Sequence, residues 1–179
     1  MSESTELSSL DRFVDNMNEF IKLTRELLEK CYNNKKTDMH PIIVDAVYKF
    51  LANYDKEKLV YNFISYSEPF WGEIKKRDQN FFTDHYKTVF RDLPEQYVNS
   101  FKVLFTAKDD KGNFIVEQED RDAIWIYFEC LIKTCIHHIH DKRKPGWKND
   151  KKIWTVDYHG NTKLQTWAKI YNVKLEWSL

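Results

Sequence analysis

The sequence contains few residues that break helices, few that form disulfides, and no apolar run long enough to span a membrane. Its 179 residues include only four glycines and four prolines, which favours long helices over tight turns. The three cysteines Cys31, Cys130 and Cys135 are too few for a disulfide framework, so we expect reduced thiols and a cytoplasmic setting. No apolar run approaches the ~20 residues of a membrane helix, so we expect no membrane contact. The first residues lack a basic stretch followed by an apolar one, so we expect no signal peptide.

Opposite charges are equal in number but unevenly divided along the chain. From Lys133 to the end there are ten basic and four acidic residues, a balance of +6, which leaves −6 for residues 1–132. Four of the six tryptophans also fall in residues 133–179, namely Trp147, Trp154, Trp167 and Trp177. The composition therefore predicts two parts, a helical bundle over residues 1–141 and a basic, tryptophan-rich appendage over residues 142–179.

Apolar residues recur at helical spacing through most of the chain. The longest apolar stretch, AIWIYFECLI, predicts a central helix over about residues 117–140 that is buried on most sides, with Trp125 and Phe128 in the core. The predicted fold class is therefore mainly α, a multi-helix bundle around a central apolar helix. The first helix is expected over about residues 9–31 with Ser8 as its cap, and later ones begin near Pro41, Asp55, Pro69, Asp78, Asp92 and Pro94.

The pattern changes beyond the KPGW break at residues 144–147. IWTVDY and VKLEW alternate apolar and polar residues as strands do, and between them Leu164, Trp167 and Tyr171 recur at helical spacing. We therefore expect a small C-terminal α+β appendage made of a strand, a helix and a second strand. Because the apolar stripes of the bundle lie upstream, we also expect the chain cut after Asp141 to fold by itself.

Residues 41–132 carry an apolar helix, an acidic residue, two adjacent aromatics and a Leu-Pro break, followed by another apolar helix. In KLVYNFISYSEPFWGEIKKRDQNFF, HYKTVFRDLP and IWIYFECLI, this pattern resembles a family of small helical proteins encoded by nucleocytoplasmic large DNA viruses. The resemblance covers about half of the chain and implies an all-helical body and production in an infected cell, as a virion component or a subunit of a virus-encoded assembly. It brings no established catalytic residue. The matching residues are Trp71, Ile74, Asp78, Phe81, Phe82, Tyr86, Pro94, Trp125 and Tyr127.

The stretch CIHHIHDKRK has the densest set of potential metal ligands in the sequence. Cys135 and His138 lie three residues apart on one helical face, and His159 supplies a third candidate ligand for zinc. However, the sequence has no CxxC pair, no HExxH and no second Cys-His cluster. Imidazoles and lysines at a helix end also bond to its last carbonyls and complement its dipole. We therefore interpret the stretch as a helix terminus and expect neither a metal nor another cofactor.

Other catalytic patterns are missing as well. GxSxG is absent, the four glycines stand apart from one another, and Cys130 lies within the apolar run. We therefore predict a protein that is not an enzyme. A metal-dependent enzyme that uses the histidine cluster is the third hypothesis.

The segment KRKPGWKNDKKIW alternates lysines with tryptophans. Such a segment suits a protein partner with an acidic surface, including another copy of the chain, because tryptophan buries a large area with few rotatable bonds. It also suits a nucleic-acid-binding accessory factor, since lysines pair with phosphates and tryptophans stack on bases. We prefer the protein partner and keep nucleic acid as the alternative. The predicted partner-binding residues are Lys142, Arg143, Lys144, Trp147, Lys148, Lys151, Lys152 and Trp154.

Overall fold

A computed structural model describes residues 7–91, 93–142 and 162–175, and every statement about the fold concerns these residues. They form mostly helices, so the predicted mainly α fold class is confirmed. The elements in chain order are α1 (Ser9–Asn33), α2 (Ile42–Ala52), α3 (Lys56–Ser67), a 3₁₀ turn (Glu68–Phe70), α4 (Trp71–Lys76), α5 (Gln79–Val89), α6 (Glu95–Thr106), α7 (Gln118–Lys142) and α8 (Thr162–Ile170).

Polar side chains begin three of these helices where the sequence predicts a cap. Ser8 Oγ accepts a hydrogen bond from the backbone N–H of Asp11 at 3.1 Å. The Asp55 carboxylate accepts one from the N–H of Lys58 at 2.7 Å, and the Asp78 carboxylate accepts two from the first turn of α5. Each bond satisfies a donor that the helix itself leaves without a partner. Asp92, which was also predicted to begin a helix, lies outside the described residues.

Helices α1 and α7 form an antiparallel pair at the centre of the bundle. Lys30 near the end of α1 pairs with Asp120 at the start of α7, with 2.7 Å between Nζ and Oδ2. At the opposite end, Ser9 meets His138. Between them, the rings of Phe20 and Phe128 lie 5.1 Å apart and are fully buried. Each helix has 25 residues, so the pair provides a surface against which shorter helices pack.

The central helix α7 is buried much as its sequence predicts. Trp125 is 3% exposed and Phe128 is fully buried, which confirms their placement in the core. Ile126 differs, since 51% of its surface is exposed. The helix therefore has a solvent-facing side at Ile126, which agrees with a helix predicted to be buried on most sides and not on all. No described helix combines the length and apolarity needed to cross a membrane.

The C-terminal region differs from the prediction. Residues 162–175 contain α8 and an extended end, and they form no strand, so the second predicted strand is not supported at residues 173–175. The first predicted strand, IWTVDY, lies outside the described residues. Leu164, Ala168 and Tyr171 belong to the same core as the bundle, which makes the expectation of a core wholly upstream of Asp141 wrong. The physical reason is that a nine-residue amphipathic helix is stable only when its apolar face is covered. The division of the chain at residue 141 stays a prediction.

Candidate functional site

The predicted partner-binding residues fall mostly in the part of the chain that the structure leaves undescribed. These are Arg143, Lys144, Trp147, Lys148, Lys151, Lys152 and Trp154. Lys142 is described and ends α7, where its Nζ forms an ion pair with Oε1 of Glu57 on α3 at 2.5 Å. The first residue of the C-terminal segment, defined as residues 142–179, is therefore fastened to the bundle.

Beyond residue 161 the C-terminal segment returns to the bundle through Glu68. The indole Nε1 of Trp167 donates a hydrogen bond to Glu68 Oε1 at 2.9 Å, and Nζ of Lys163 lies 2.7 Å from the same oxygen. The Glu68 side chain is only 14% exposed. Charge-assisted bonds are stronger where water is largely excluded, so this carboxylate holds the first two turns of α8 against the 3₁₀ turn.

Aromatic rings complete the attachment of α8. Trp71 is fully buried, and its ring centroid lies 5.4 Å from that of Trp167 and 6.4 Å from that of Tyr171. The Tyr171 hydroxyl donates a hydrogen bond to the backbone carbonyl of Trp71 at 2.6 Å. Burial raises the pKa of the Tyr171 hydroxyl well above its usual value, so this hydroxyl stays a donor. The indole of Trp71 in turn donates to Ser67 Oγ at 2.9 Å.

The opposite face of α8 points to solvent and is basic. Lys169 of α8 and Lys174, which follows the helix, are exposed, whereas Lys163 pairs with Glu68. Residues 162–175 contain no aspartate or glutamate. Ile170, which is 37% exposed, adds an apolar position to the same helix. The described part of the C-terminal segment therefore has one face fixed to the bundle and another that attracts negative charge.

The histidine cluster forms a second polar site, at the end of the bundle where α7 stops. His138 is 2% exposed, its Nδ1 lies 3.4 Å from Ser9 Oγ, and its ring packs edge-on against Tyr61 with the centroids 5.7 Å apart. Burial lowers the pKa of His138, and it also lowers the pKa of the half-buried His137. Burial also raises the pKa of the Cys135 thiol, so the thiol stays protonated.

The arrangement around His138 differs from that of the zinc site that was considered from the sequence. Among the described residues, no group of three or more His, Cys, Asp or Glu side chains is placed to hold a metal ion. The third candidate ligand, His159, lies outside the described residues. What the fold brings to the His138 ring is a hydroxyl from α1 and a phenol ring from α3.

The sequence did not reveal the surface to which α8 attaches. The spacing of Leu164, Trp167 and Tyr171 indicates a helix with an apolar face, but spacing does not say what covers that face. Glu68 and Trp71 belong to a different part of the chain, about a hundred residues away. The one local signal is the crowding of acidic and aromatic residues in SEPFWGE, the stretch that contains Glu68 and Trp71.

No protein-family model, curated protein or solved structure matches this chain. The resemblance to proteins of large DNA viruses therefore stays a prediction based on the residues quoted above. Four of those residues are core residues, namely Trp71, Ile74, Tyr86 and Trp125, and Asp78 caps α5. These five matched residues therefore serve the packing and capping of the helices.

Proposed function

We propose that this chain is a non-enzymatic interaction protein that docks onto an acidic surface of a protein partner through its C-terminal segment. The observation that carries the proposal is the division of α8 into two faces. One face is held by Glu68 and Trp71, and the other exposes Lys169, with Lys174 just beyond the helix and no acidic residue among residues 162–175. The setting implied by the family resemblance is kept, namely a virion component or a subunit of a virus-encoded assembly in the host cytoplasm.

The attachment of α8 supports such docking in energetic terms. Residues 143–161 run between two fastened points, Lys142 on Glu57 and Lys163 on Glu68. Fixing both ends reduces the conformational entropy that the segment loses on binding. The positive net charge of residues 133–179 would steer the approach of an acidic partner, and Trp147 and Trp154 would then supply buried anchors.

Trp167 favours a protein partner over nucleic acid. Stacking on bases needs tryptophans whose ring faces are open. Trp167 is the one tryptophan of the C-terminal segment that the structure describes, and it packs against Trp71 and Tyr171 while its indole N–H is bonded to Glu68. Binding to nucleic acid is therefore the alternative that the nuclease treatment in the experiment below would detect.

The test compares three full-length tagged proteins recovered from the native source, each with and without nuclease treatment. The first is the wild type, and the second carries Lys148→Glu, Lys151→Glu and Lys152→Glu. The third is a matched control with the same change in net charge on exposed lysines of α1, α2 and α6, namely Lys22→Glu, Lys49→Glu and Lys102→Glu.

We expect the wild type and the control to retain a protein partner after nuclease treatment, and we expect the segment variant to lose it. Equal recovery with all three proteins would contradict docking through the segment. Recovery that disappears with nuclease would replace the proposal by the nucleic-acid alternative.

A further inference from the structure

The end of the bundle at which the C-terminal segment begins contains a buried ionisable group. Helices α1, α3 and α7 meet there through Ser9, Tyr61 and His138, which are 8%, 8% and 2% exposed. Four residues further along α7, Lys142 pairs with Glu57 of α3. The junction of these three helices therefore lies directly beside the attachment of the proposed docking segment.

The hydrogen bonding of the His138 ring is incomplete. Nδ1 has one long contact, 3.4 Å, with Ser9 Oγ. Nε2 is buried and has no hydrogen-bond partner among the residues that the structure describes. A neutral imidazole needs one donor and one acceptor, whereas an imidazolium carries two donors. Protonation would thus place a positive charge on a buried ring whose Nε2–H has no acceptor among the described residues, which is costly.

The charged groups around the ring do not remove this cost. Lys142 on α7 opposes protonation, while Glu57 on α3 and Asp141 on α7 favour it. Glu57 is already engaged by Lys142, and Tyr61 on α3 contributes a phenol whose pKa burial raises to about 12. From α1, the ring meets the hydroxyl of Ser9, which carries no charge. Desolvation is the largest influence on His138, and it favours the neutral ring.

From this geometry we infer that the α1–α3–α7 junction is an acid-sensitive joint, in which protonation of His138 separates α7 from α1 and α3 and frees Lys142 from Glu57. The inference rests on the proposed function in one respect, because the end that opens is the end from which the docking segment starts. In an open joint the Lys142 attachment is lost, while Glu68 and Trp71 still hold residues 162–175, so a mildly acidic medium would change how the segment is presented to its partner.

The direction of the pH dependence follows from proton linkage. The pKa of His138 in the folded chain lies below 6.5, its value in an unfolded chain. The unfolded or opened state therefore binds the proton more readily, and the junction is at full stability above pH 6.5. Stability is lost as the pH falls below that value toward the lowered pKa.

Hydrogen exchange of the full-length protein tests the joint at about pH 7.5 and about pH 5.5, with rates corrected for intrinsic exchange. We expect protection of residues 9–13 and 136–142 to fall at the lower pH by up to about tenfold, the limit that proton linkage sets one pH unit below 6.5. Residues 97–105, in the core of α6, should keep their protection. In His138→Gln, which keeps a neutral donor and acceptor, the loss should be absent. In the matched variant His137→Gln, which changes the half-buried neighbour, the loss should remain.

Two results would overturn the inference. One is equal protection of the wild-type junction at both pH values, and the other is a pH effect that His137→Gln abolishes while His138→Gln keeps it. If His138→Gln does not fold, proton NMR titration of the His138 ring in the wild-type protein tests the inference instead. A folded-state pKa at or above 6.5 would contradict the joint. Partner recovery at about pH 7.5 tests the proposed function alone, so either idea can fail without the other.

Discussion

Trp125 and its neighbour Ile126 are adjacent in sequence but differ in their surroundings. Trp125 is 3% exposed and packs on Phe105 and Phe128, with ring centroids 5.8 and 6.0 Å away, whereas Ile126 is 51% exposed. We expect Trp125→Ala to lower the free energy of unfolding by ~3–5 kcal/mol, the cost of a large cavity. Ile126→Ala, the control, should change it by ~0.5 kcal/mol or less. Urea denaturation of both variants measures the difference, and an unchanged midpoint for Trp125→Ala would contradict its role in the core.

The Tyr171 hydroxyl makes a second prediction at the scale of single residues. Tyr171→Phe keeps the ring and removes only the donor to the carbonyl of Trp71, which is buried. The loss of one buried hydrogen bond costs ~0.5–1.5 kcal/mol, so thermal unfolding should occur at a lower temperature. Tyr48→Phe removes a hydroxyl from a side chain that is 51% exposed and should leave the melting temperature unchanged. Equal melting temperatures for the two variants would show that the bond does not hold α8.

The absence of zinc remains a prediction. Elemental analysis of protein purified without a histidine tag should find no stoichiometric metal, because His138 lies in a site formed by a hydroxyl and a phenol ring. One zinc per chain, lost in a Cys135→Ala and His138→Ala double variant, would contradict it. That result would also place His159 among the ligands to be examined next.

At the scale of elements, the structure changes the prediction for a chain cut after Asp141. Leu164, Ala168 and Tyr171 contribute to the core, and Trp71 is fully buried when α8 is present. Each large apolar side chain contributes ~1.5–3 kcal/mol when it is covered. The sequence predicted only that the truncated protein folds by itself. We now expect it to be several kcal/mol less stable than the full chain.

The measurement is thermal unfolding of the truncated and full-length proteins followed by circular dichroism. The control keeps α8 but replaces two exposed lysines, one on the helix and one after it, with Lys169→Ala and Lys174→Ala, which should leave the melting temperature unchanged. A truncated protein with the same melting temperature as the full chain would show that the helices upstream of Asp141 need no contribution from α8. It would also mean that α8 rests on the bundle without stabilising it.

The helices could be predicted because their signals are local. Ser8, Asp55 and Asp78 mark helix starts by side-chain bonds that span only three residues, and the apolar repeat of α1 fixes its inner face. The alternation in VKLEW suggested a strand, but a strand also needs a partner strand, and none pairs with residues 173–175 in the described part of the chain. Local pattern therefore identified the helices and failed where pairing decides the structure.

The candidate site could be predicted less well, for a related reason. The basic character of the C-terminal segment is visible in the composition. Its attachment is not, because Glu68 and Lys163 meet only when distant parts of the chain fold together. The same holds for His138 and Ser9, which are 129 residues apart in the sequence. The histidine cluster was correctly placed at the end of α7, but its burial beneath α1 and α3 follows from packing and not from spacing.

At the scale of the whole molecule, the chain joins residues 1–132, with a net charge of −6, to residues 133–179, with a net charge of +6. The affinity for an acidic protein and the affinity for nucleic acid would depend differently on salt concentration. Contacts with an acidic protein surface that depend mainly on tryptophans are screened only in part, so affinity should fall by about tenfold or less between about 50 and about 200 mM salt. A protein that contacts six or more phosphates would lose about a thousandfold or more over the same range, because each contact releases counterions.

Calorimetric titration of the recovered partner with the full chain at both salt concentrations distinguishes the two cases. For a protein partner, the Trp147→Ala and Trp154→Ala double variant should bind more weakly at each salt concentration while the salt dependence stays the same. The Lys148→Glu, Lys151→Glu and Lys152→Glu variant should instead lose most of the remaining salt dependence, since the charges it reverses are those that salt screens. A steep salt dependence that the tryptophan changes leave intact would mean that phosphates, and not an acidic protein surface, are what the segment binds.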